Sequence, residues 1–160
     1  MNNKLNRFLD DFPVLISGIA LTIAIALSSA NALGRYLFAY TFAWNDEIVA
    51  LCFCWTTFWG AAAASRRGLH FGLEVITNLL PPMGKKVQKV IIELLSFAVI
   101  CCIAYLSWVL TAKAGTKLMP ATRLSYQFFD SGMALGMSFM TLYALISLVN
   151  SIRNLFSKED

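Results

Sequence analysis

Residues 31–47 read NALGRYLFAYTFAWNDE and separate two long apolar stretches. Arg35, Asp46 and Glu47 are the charged residues of the whole region between positions 12 and 65. A charged side chain is costly in the hydrocarbon core of a membrane, so these charges are expected at the tip of a hairpin of two membrane-spanning helices. The segment therefore predicts an integral membrane protein.

Four apolar segments of the chain are long enough to span a membrane, at about residues 12–34, 48–65, 91–112 and 131–152. A helix needs roughly 17–25 residues to cross a hydrocarbon core about 30 Å thick. The chain has 160 residues, of which 58% are hydrophobic and 14% are charged. We therefore predict an all-α integral membrane protein with four transmembrane helices, in a single membrane domain over residues 1–160.

The distribution of Lys and Arg predicts that both termini are cytoplasmic. Nine of the 13 basic residues lie in the terminal segments and the second loop, and four lie in the first and third loops: Arg35, Lys113, Lys117 and Arg123. Cytoplasmic loops carry the excess of Lys and Arg in membrane proteins. This bias explains the net charge of +4, and the expected partner of the basic residues is the lipid bilayer rather than nucleic acid.

A shorter amphipathic segment lies between the second and third spans. Apolar residues recur there at positions 69, 73, 76 and 80, and a double proline follows at Pro81. This spacing is helical, but the segment is too short to cross the membrane, so we predict an interfacial helix at about residues 69–80. Arg67, His70 and Glu74 are then expected at the inner interface, with His70 as a helix-end or headgroup contact.

Small residues occur four apart at two places in the predicted spans. Gly60 and Ala64 end the second span, and Gly132 and Gly136 open the fourth. This spacing lets two helix backbones approach closely. It is compatible with packing inside the chain and with a groove for the helices of a partner, and the sequence does not separate the two.

The sequence offers little catalytic chemistry. It has one His, no catalytic, phosphate-binding or metal-binding motif, and no carboxylate near the middle of a predicted span. The four cysteines lie inside apolar segments without metal or redox spacing, and we expect buried free thiols. We therefore expect no enzyme activity, no cofactor and no metal, and we do not expect this chain to move a substrate alone.

The charged tip of the first hairpin has two possible roles. Arg35 can form an ion pair with Asp46 or Glu47 that closes the hairpin. Alternatively, these side chains present a charged face to an extracytoplasmic partner. The two roles are compatible if one carboxylate is paired and the other is free.

Several residues in fixed order resemble the small membrane subunit (Q-type, DctQ-like) of tripartite ATP-independent periplasmic (TRAP) transporters. The resemblance rests on Asn31…Arg35-Tyr36-x-Phe38…Trp44-x-x-Glu47, Trp55…Gly60-Ala61, Arg67-Gly68-x-His70 with Glu74, and Leu118-x-Pro120. Glu74 stands where the family more often has Asp. The resemblance covers residues 12–82 best, and the later half matches mainly in layout.

The resemblance implies an accessory subunit of a sodium-driven importer in the bacterial inner membrane. Its expected partners are a large membrane transport subunit (M-type), which it binds and braces, and a periplasmic substrate-binding protein, which it helps to dock. The cargo that the resemblance implies is an organic acid of the sialic acid or C4-dicarboxylate type. The expected docking residues are Arg35, Tyr36, Trp44, Asp46, Glu47, Lys113, Lys117 and Arg123.

Two other classes of protein remain as alternatives. An autonomous four-span exporter of the small multidrug type has a similar length, but such proteins depend on a Glu in the first span, and residues 12–34 contain no acid. A membrane thiol oxidoreductase would need a redox-active cysteine pair, which the spacing of Cys101 and Cys102 disfavours.

Overall fold

The computed structural model describes the backbone of residues 3–66 and 82–156 and the side chains of residues 11–66 and 88–153. The described chain is almost entirely helical. Its helices are α1 (Asn3–Phe38), α2 (Asn45–Arg66), α3 (Pro82–Lys113) and α4 (Tyr126–Phe156), and a turn of 3-10 helix (Ala114–Thr116) follows α3. Each long helix contains a segment long and apolar enough to cross a membrane. The prediction of an all-α, four-span fold is confirmed.

The helices extend beyond the apolar segments from which they were predicted. α1 continues through Pro13, which is buried inside the helix although proline lacks the amide hydrogen of a regular turn. α4 begins at Tyr126, five residues before the predicted span, because the Ser125 hydroxyl caps it by accepting a hydrogen bond from the Gln127 amide at 3.1 Å. The predicted interfacial helix at 69–80 lies outside the described residues and stays a prediction.

The four helices pack as a row in the order α1, α2, α4, α3. The Thr56 hydroxyl of α2 donates a hydrogen bond to the Ser17 carbonyl of α1 at 3.4 Å. At the other side of the row, the Trp108 indole of α3 donates one to the Ser138 hydroxyl of α4 at 3.0 Å. Within the described residues, no comparable contact joins α1 to α3, so these two helices are the flanks of the row.

An aromatic cluster joins the three helices α1, α2 and α4. Trp59 of α2 lies at its centre and is 2% exposed. The centroid of its ring lies 5.6 Å from that of Phe12 in α1 and 5.1 Å from that of Phe139 in α4. Ring pairs at such distances contribute beyond the apolar area that they bury. The cluster therefore ties the central pair α2 and α4 to the α1 flank.

The outer faces of the flanking helices are apolar and are not covered by other described residues. On α1, Leu15 is 61% exposed and Ile19 is 53% exposed; on α3, Leu95 is 66% exposed. Such faces are expected where lipid or another membrane protein surrounds a helix. Cys102 also lies on an exposed face, so the expectation of buried thiols was wrong for this residue.

The two described loops, residues 39–44 and 114–125, lie at the same end of the row, because α2 and α4 both begin there. We call this end the hairpin end, and the opposite end, where α1 begins and α4 finishes, the terminal end. The charge distribution predicts that the hairpin end is extracytoplasmic.

Candidate functional site at the hairpin end

The first loop is held by the last turns of α1. The Asn31 side-chain oxygen accepts a hydrogen bond from the Phe42 amide at 3.1 Å. The Tyr40 amide approaches the Gly34 carbonyl at 3.4 Å, and the chain reverses at Ala39, whose φ is 51°. Asn31 and Gly34 thus have local structural roles in shaping this loop.

The second loop contains a tight reversal of the chain. The Met119 amide donates a hydrogen bond to the Leu124 carbonyl at 2.8 Å, and the Arg123 amide donates one to the Met119 carbonyl at 3.1 Å. Met119 is 3% exposed and anchors the reversal, whereas Arg123 is exposed and has a φ of 58°. The reversal therefore holds a basic side chain outward on a backbone that is fixed by hydrogen bonds.

Glu47 ties this reversal to the start of α2. One carboxylate oxygen accepts a hydrogen bond from the Ala121 amide at 2.8 Å. The other accepts one from the Thr122 amide at 2.8 Å and one from the Thr122 hydroxyl at 2.7 Å. Hydrogen bonds to an ionised acceptor are stronger than neutral ones. We call this set of three hydrogen bonds the clasp.

The position of Glu47 in the chain explains why it can form the clasp. α2 begins at Asn45, so Glu47 lies in its first turn, where the helix dipole favours a negative charge. The two ends of the clasp are about 75 residues apart in the chain. The clasp therefore fixes the second loop to the first helical hairpin.

Below the clasp, α4 packs closely on α2. The Trp55 indole donates a hydrogen bond to the Phe128 carbonyl at 3.1 Å. A Cβ added at Gly132 would lie 2.5 Å from the Trp55 ring, and one added at Gly136 would lie 2.8 Å from the Cβ of Phe58 and 2.9 Å from its carbonyl carbon. Both glycines thus lie so close to α2 that a side chain at either position would clash with it.

The other pair of small residues is less crowded. A Cβ added at Gly60 would lie 3.9 Å from the Cβ of Ser17 in α1, which is an ordinary contact. Ala64, one turn later, is half-buried. Close approach of two backbones is therefore a feature of the α2–α4 contact rather than of the α1–α2 contact.

The ion pair expected at the tip of the first hairpin is not formed among the described residues. Arg35 lies within α1, because the helix runs on to Phe38, and its guanidinium stands 5.5 Å from the centroid of the Tyr36 ring. Asp46 accepts a hydrogen bond from the Asn45 side chain at 3.3 Å. Glu47 instead binds the second loop through the clasp.

The remaining predicted residues are distributed over the hairpin end and beyond it. Tyr36 is 81% exposed, and Trp44 is 42% exposed with its ring 5.5 Å from that of Phe42. Lys113 ends α3 and Lys117 follows the 3-10 helix, and both are exposed. The predicted inner-interface residues lie outside the described part of the chain: Arg67, His70 and Glu74.

Sequence reasoning missed the residues that Glu47 binds. Ala121 and Thr122 contribute mainly backbone amides, which almost every residue has, so the residue types of a loop do not indicate such contacts. The only available signal was the location of Glu47, which lies early in a helix beside a short loop. Within the described residues, no group of three His, Cys, Asp or Glu side chains could hold a metal ion.

Residues 15–154 match the family model of the DctQ component of tripartite ATP-independent periplasmic transporters. The chain belongs to this family. It is therefore a small TRAP transporter subunit, a multi-pass protein of the bacterial inner membrane, and the family consists of transporter components rather than enzymes. This membership argues against the alternatives of an autonomous exporter and a thiol oxidoreductase.

Three relatives illustrate the similarity. A TRAP transporter small permease protein of Haemophilus influenzae is 27% identical over 125 residues, which cover 78% of this chain and 76% of that protein. The C4-dicarboxylate TRAP transporter small permease protein DctQ of Vibrio cholerae is 26% identical over 103 residues, 64% of this chain and 42% of that protein. The sialic acid TRAP transporter permease protein SiaT of Haemophilus influenzae is 30% identical over 99 residues, 61% of this chain and 15% of that protein.

Proposed function

We propose that the chain binds and braces the large permease of a sodium-driven TRAP transporter, and that its hairpin end helps to dock a periplasmic binding protein. The clasp is the observation that carries the bracing role. It joins the start of α2 to the loop before α4, so these two helices and their loop form one fixed unit. Rigid elements keep a partner in place better than loops that must be ordered on binding.

The exposed apolar faces of α1 and α3 support the binding of a large membrane partner. Neither face is covered within the described residues, although the aromatic cluster and the clasp fix the helices that stand between them. In a membrane, helices associate through close packing rather than through a hydrophobic driving force. A preformed row with two open flanks is suited to that mode of association.

The docking role rests on the charged side chains at the hairpin end. Arg123 is exposed on the second loop, and Asp46 is exposed beside the clasp. Charges at the rim of an interface mainly influence the rate of encounter and the choice of partner. Arg35, on the last turn of α1, adds a further exposed charge to the same end. Glu47 serves docking indirectly, because it holds the loop that carries Arg123.

Co-purification tests the bracing role. A tagged copy of the full chain is expressed together with the large permease of the same transporter, and the complex is isolated in a mild detergent. We expect the two proteins to elute together as one species. Elution of the chain as a separate, well-behaved oligomer that ignores the large permease would overturn the proposal.

Uptake into proteoliposomes tests docking separately from bracing. The charge reversals Arg123→Glu and Asp46→Lys should reduce uptake that depends on the binding protein, while the membrane complex still co-purifies. Lys89→Glu is the matched control, because it reverses the charge of an exposed side chain in α3 near the terminal end, and it should leave uptake unchanged. Unchanged uptake in both hairpin-end variants would restrict the chain to bracing.

The same proteoliposomes test sodium coupling and the class of cargo. We propose an organic acid as cargo because two of the relatives belong to TRAP transporters named for C4-dicarboxylates and for sialic acid. Labelled succinate and labelled sialic acid are offered with and without an inward sodium gradient. Uptake of one of them only with the gradient supports the proposal, and uptake of neither would reject both the C4-dicarboxylate and the sialic acid type of cargo.

A further inference from the structure

We propose that the hairpin end carries a binding site for a zwitterionic aminophospholipid, in a cleft between the end of α3 and the start of α4. The cleft has a volume of about 410 Å³, within the range of roughly 300–1,000 Å³ that is usual for ligand sites. Its lining combines both signs of charge with apolar surface, and consists of Leu110, Lys113, Ala114, Lys117, Tyr126 and Asp130.

The walls of the cleft are fixed by the backbone. The Lys117 amide donates a hydrogen bond to the Ala114 carbonyl at 3.0 Å, which closes the 3-10 helix. The Lys117 carbonyl accepts one from the Tyr126 amide, also at 3.0 Å, and Ala114 is 5% exposed. The backbone around the cleft is therefore fixed by the fold, although Lys113 and Lys117 lie next to or in the second loop.

The charges in the cleft match the headgroup of phosphatidylethanolamine. Lys113 and Lys117 offer two ammonium groups for a phosphate, and Asp130 offers a carboxylate for an ammonium group. Lys117 and Asp130 both line the cleft, and no ion pair joins them among the described residues. A ligand with a phosphate and an ammonium group joined by a two-carbon linker can satisfy both signs of charge at once.

The surface below the cleft fits an acyl chain. From Leu110, exposed apolar residues follow one face of α3 at helical spacing: Leu106 (56% exposed), Ile103 (38%) and Val99 (51%). This track spans residues 99–110, or about 16 Å of helix, which is close to the depth of one leaflet of a hydrocarbon core about 30 Å thick. The charged cleft for the headgroup and the apolar track for the acyl chain thus form one continuous surface.

A lipid is favoured over a soluble anion by this continuity. Two lysines alone would bind any phosphate or carboxylate, but a free anion gains nothing from a leaflet-deep apolar track. Asp130 also disfavours a purely anionic ligand, because a second negative charge in the cleft would be repelled. The aminophospholipid is the ligand that uses every part of the site.

Native mass spectrometry of the full chain in nonionic detergent tests the proposal. The probes are dioleoyl phosphatidylethanolamine, dioleoyl phosphatidylglycerol and dioleoyl phosphatidylcholine, with glycerophosphoethanolamine as a soluble headgroup. We expect phosphatidylethanolamine to bind about ten-fold more tightly than phosphatidylglycerol, because only the former satisfies Asp130. Phosphatidylcholine should bind more weakly than phosphatidylethanolamine, because its quaternary ammonium cannot donate a hydrogen bond.

Two variants with a matched control decide the assignment. Lys117→Ala should weaken the binding of both phosphatidylethanolamine and phosphatidylglycerol about five-fold, because both contain the phosphate. Asp130→Asn should abolish the preference between these two lipids. Lys89→Ala, an exposed lysine near the other end of α3, should change neither quantity. The preference is a ratio measured on folded protein, so partial loss of stability in a variant does not affect it.

Each other outcome would overturn the proposal. Equal retention of all lipids by the wild type would identify only lipids that surround the protein nonspecifically. An unchanged preference in Asp130→Asn would show that Asp130 does not select the headgroup. Displacement of bound lipid by an equimolar amount of glycerophosphoethanolamine would show that the apolar track contributes nothing, and that the cleft is a site for a soluble zwitterion.

Discussion

Replacing Gly136 by Ala should separate α4 from α2. The new Cβ would lie 2.8 Å from the Cβ of Phe58 and 2.9 Å from its carbonyl carbon, and the latter belongs to the backbone of α2. Carbon atoms pack at about 3.5–4.0 Å, so the helices must move apart by roughly 1 Å. Overpacking of this kind costs about 1–3 kcal/mol, while alanine gains up to about 1 kcal/mol over glycine in helix propensity. We expect a net loss of about 1–2 kcal/mol in the free energy of unfolding.

Thermal unfolding in detergent, followed by intrinsic tryptophan fluorescence, measures this loss. For a chain of this size it corresponds to a fall of about 2–8 °C in the melting temperature. The same substitution at Gly18, where an added Cβ meets nothing within 4 Å, and at Gly60, where it meets Ser17 at 3.9 Å, provides the controls. Both controls should be neutral or slightly stabilising. A Gly136→Ala variant as stable as these controls would refute the close approach of the two helices.

Three further substitutions probe the clasp and two single hydrogen bonds. Glu47→Gln leaves only one acceptor oxygen for the clasp. The backbone amides of the second loop should therefore exchange their hydrogens with solvent roughly ten-fold faster. Asp46→Asn is the control and should leave that exchange rate unchanged. Trp55→Phe keeps an aromatic ring against α4 but removes the indole N–H that donates to the Phe128 carbonyl. It should lower the free energy of unfolding, measured by thermal unfolding, by about 0.5–1.5 kcal/mol. An unchanged free energy of unfolding would show that this hydrogen bond does not stabilise the fold. Ser147→Ala removes the hydroxyl that donates to one oxygen of Glu93 at 3.1 Å, and the other oxygen is buried with no partner among the described residues. The substitution should therefore lower the free energy of unfolding by about 1–3 kcal/mol, and a neutral result would show that Glu93 does not depend on this hydrogen bond.

Hydropathy and charge were sufficient to predict the fold class and the number of long apolar helices. A hydrocarbon core demands long apolar segments and penalises charges within them, so this information is local in the sequence. The helix ends were harder to predict, since lipid does not define them. α4 starts early because Ser125 caps it, and α1 runs through Pro13 without interruption.

The arrangement at the hairpin end could be predicted only in part. The sequence singled out Glu47 and the pair Gly132 and Gly136. For Glu47 it offered only an ion pair with Arg35, shared as an alternative with Asp46, or a contact with an extracytoplasmic partner, because charges near each other in the sequence are the visible partners. The actual partners are backbone amides about 75 residues away. Which helix the two glycines approach was also hidden, because the spacing of small residues shows that a helix can pack closely and does not identify its neighbour.

The row arrangement of the helices has a consequence for how substitutions combine. α1 and α3 stand on opposite flanks without extensive contact among the described residues, so the effects of substitutions on these two flanks should add to within about 0.3–0.5 kcal/mol. Substitutions at Phe58 and Gly136, which touch, should instead be strongly coupled. The two flanks can therefore diverge independently during evolution, whereas α2 and α4 must change together.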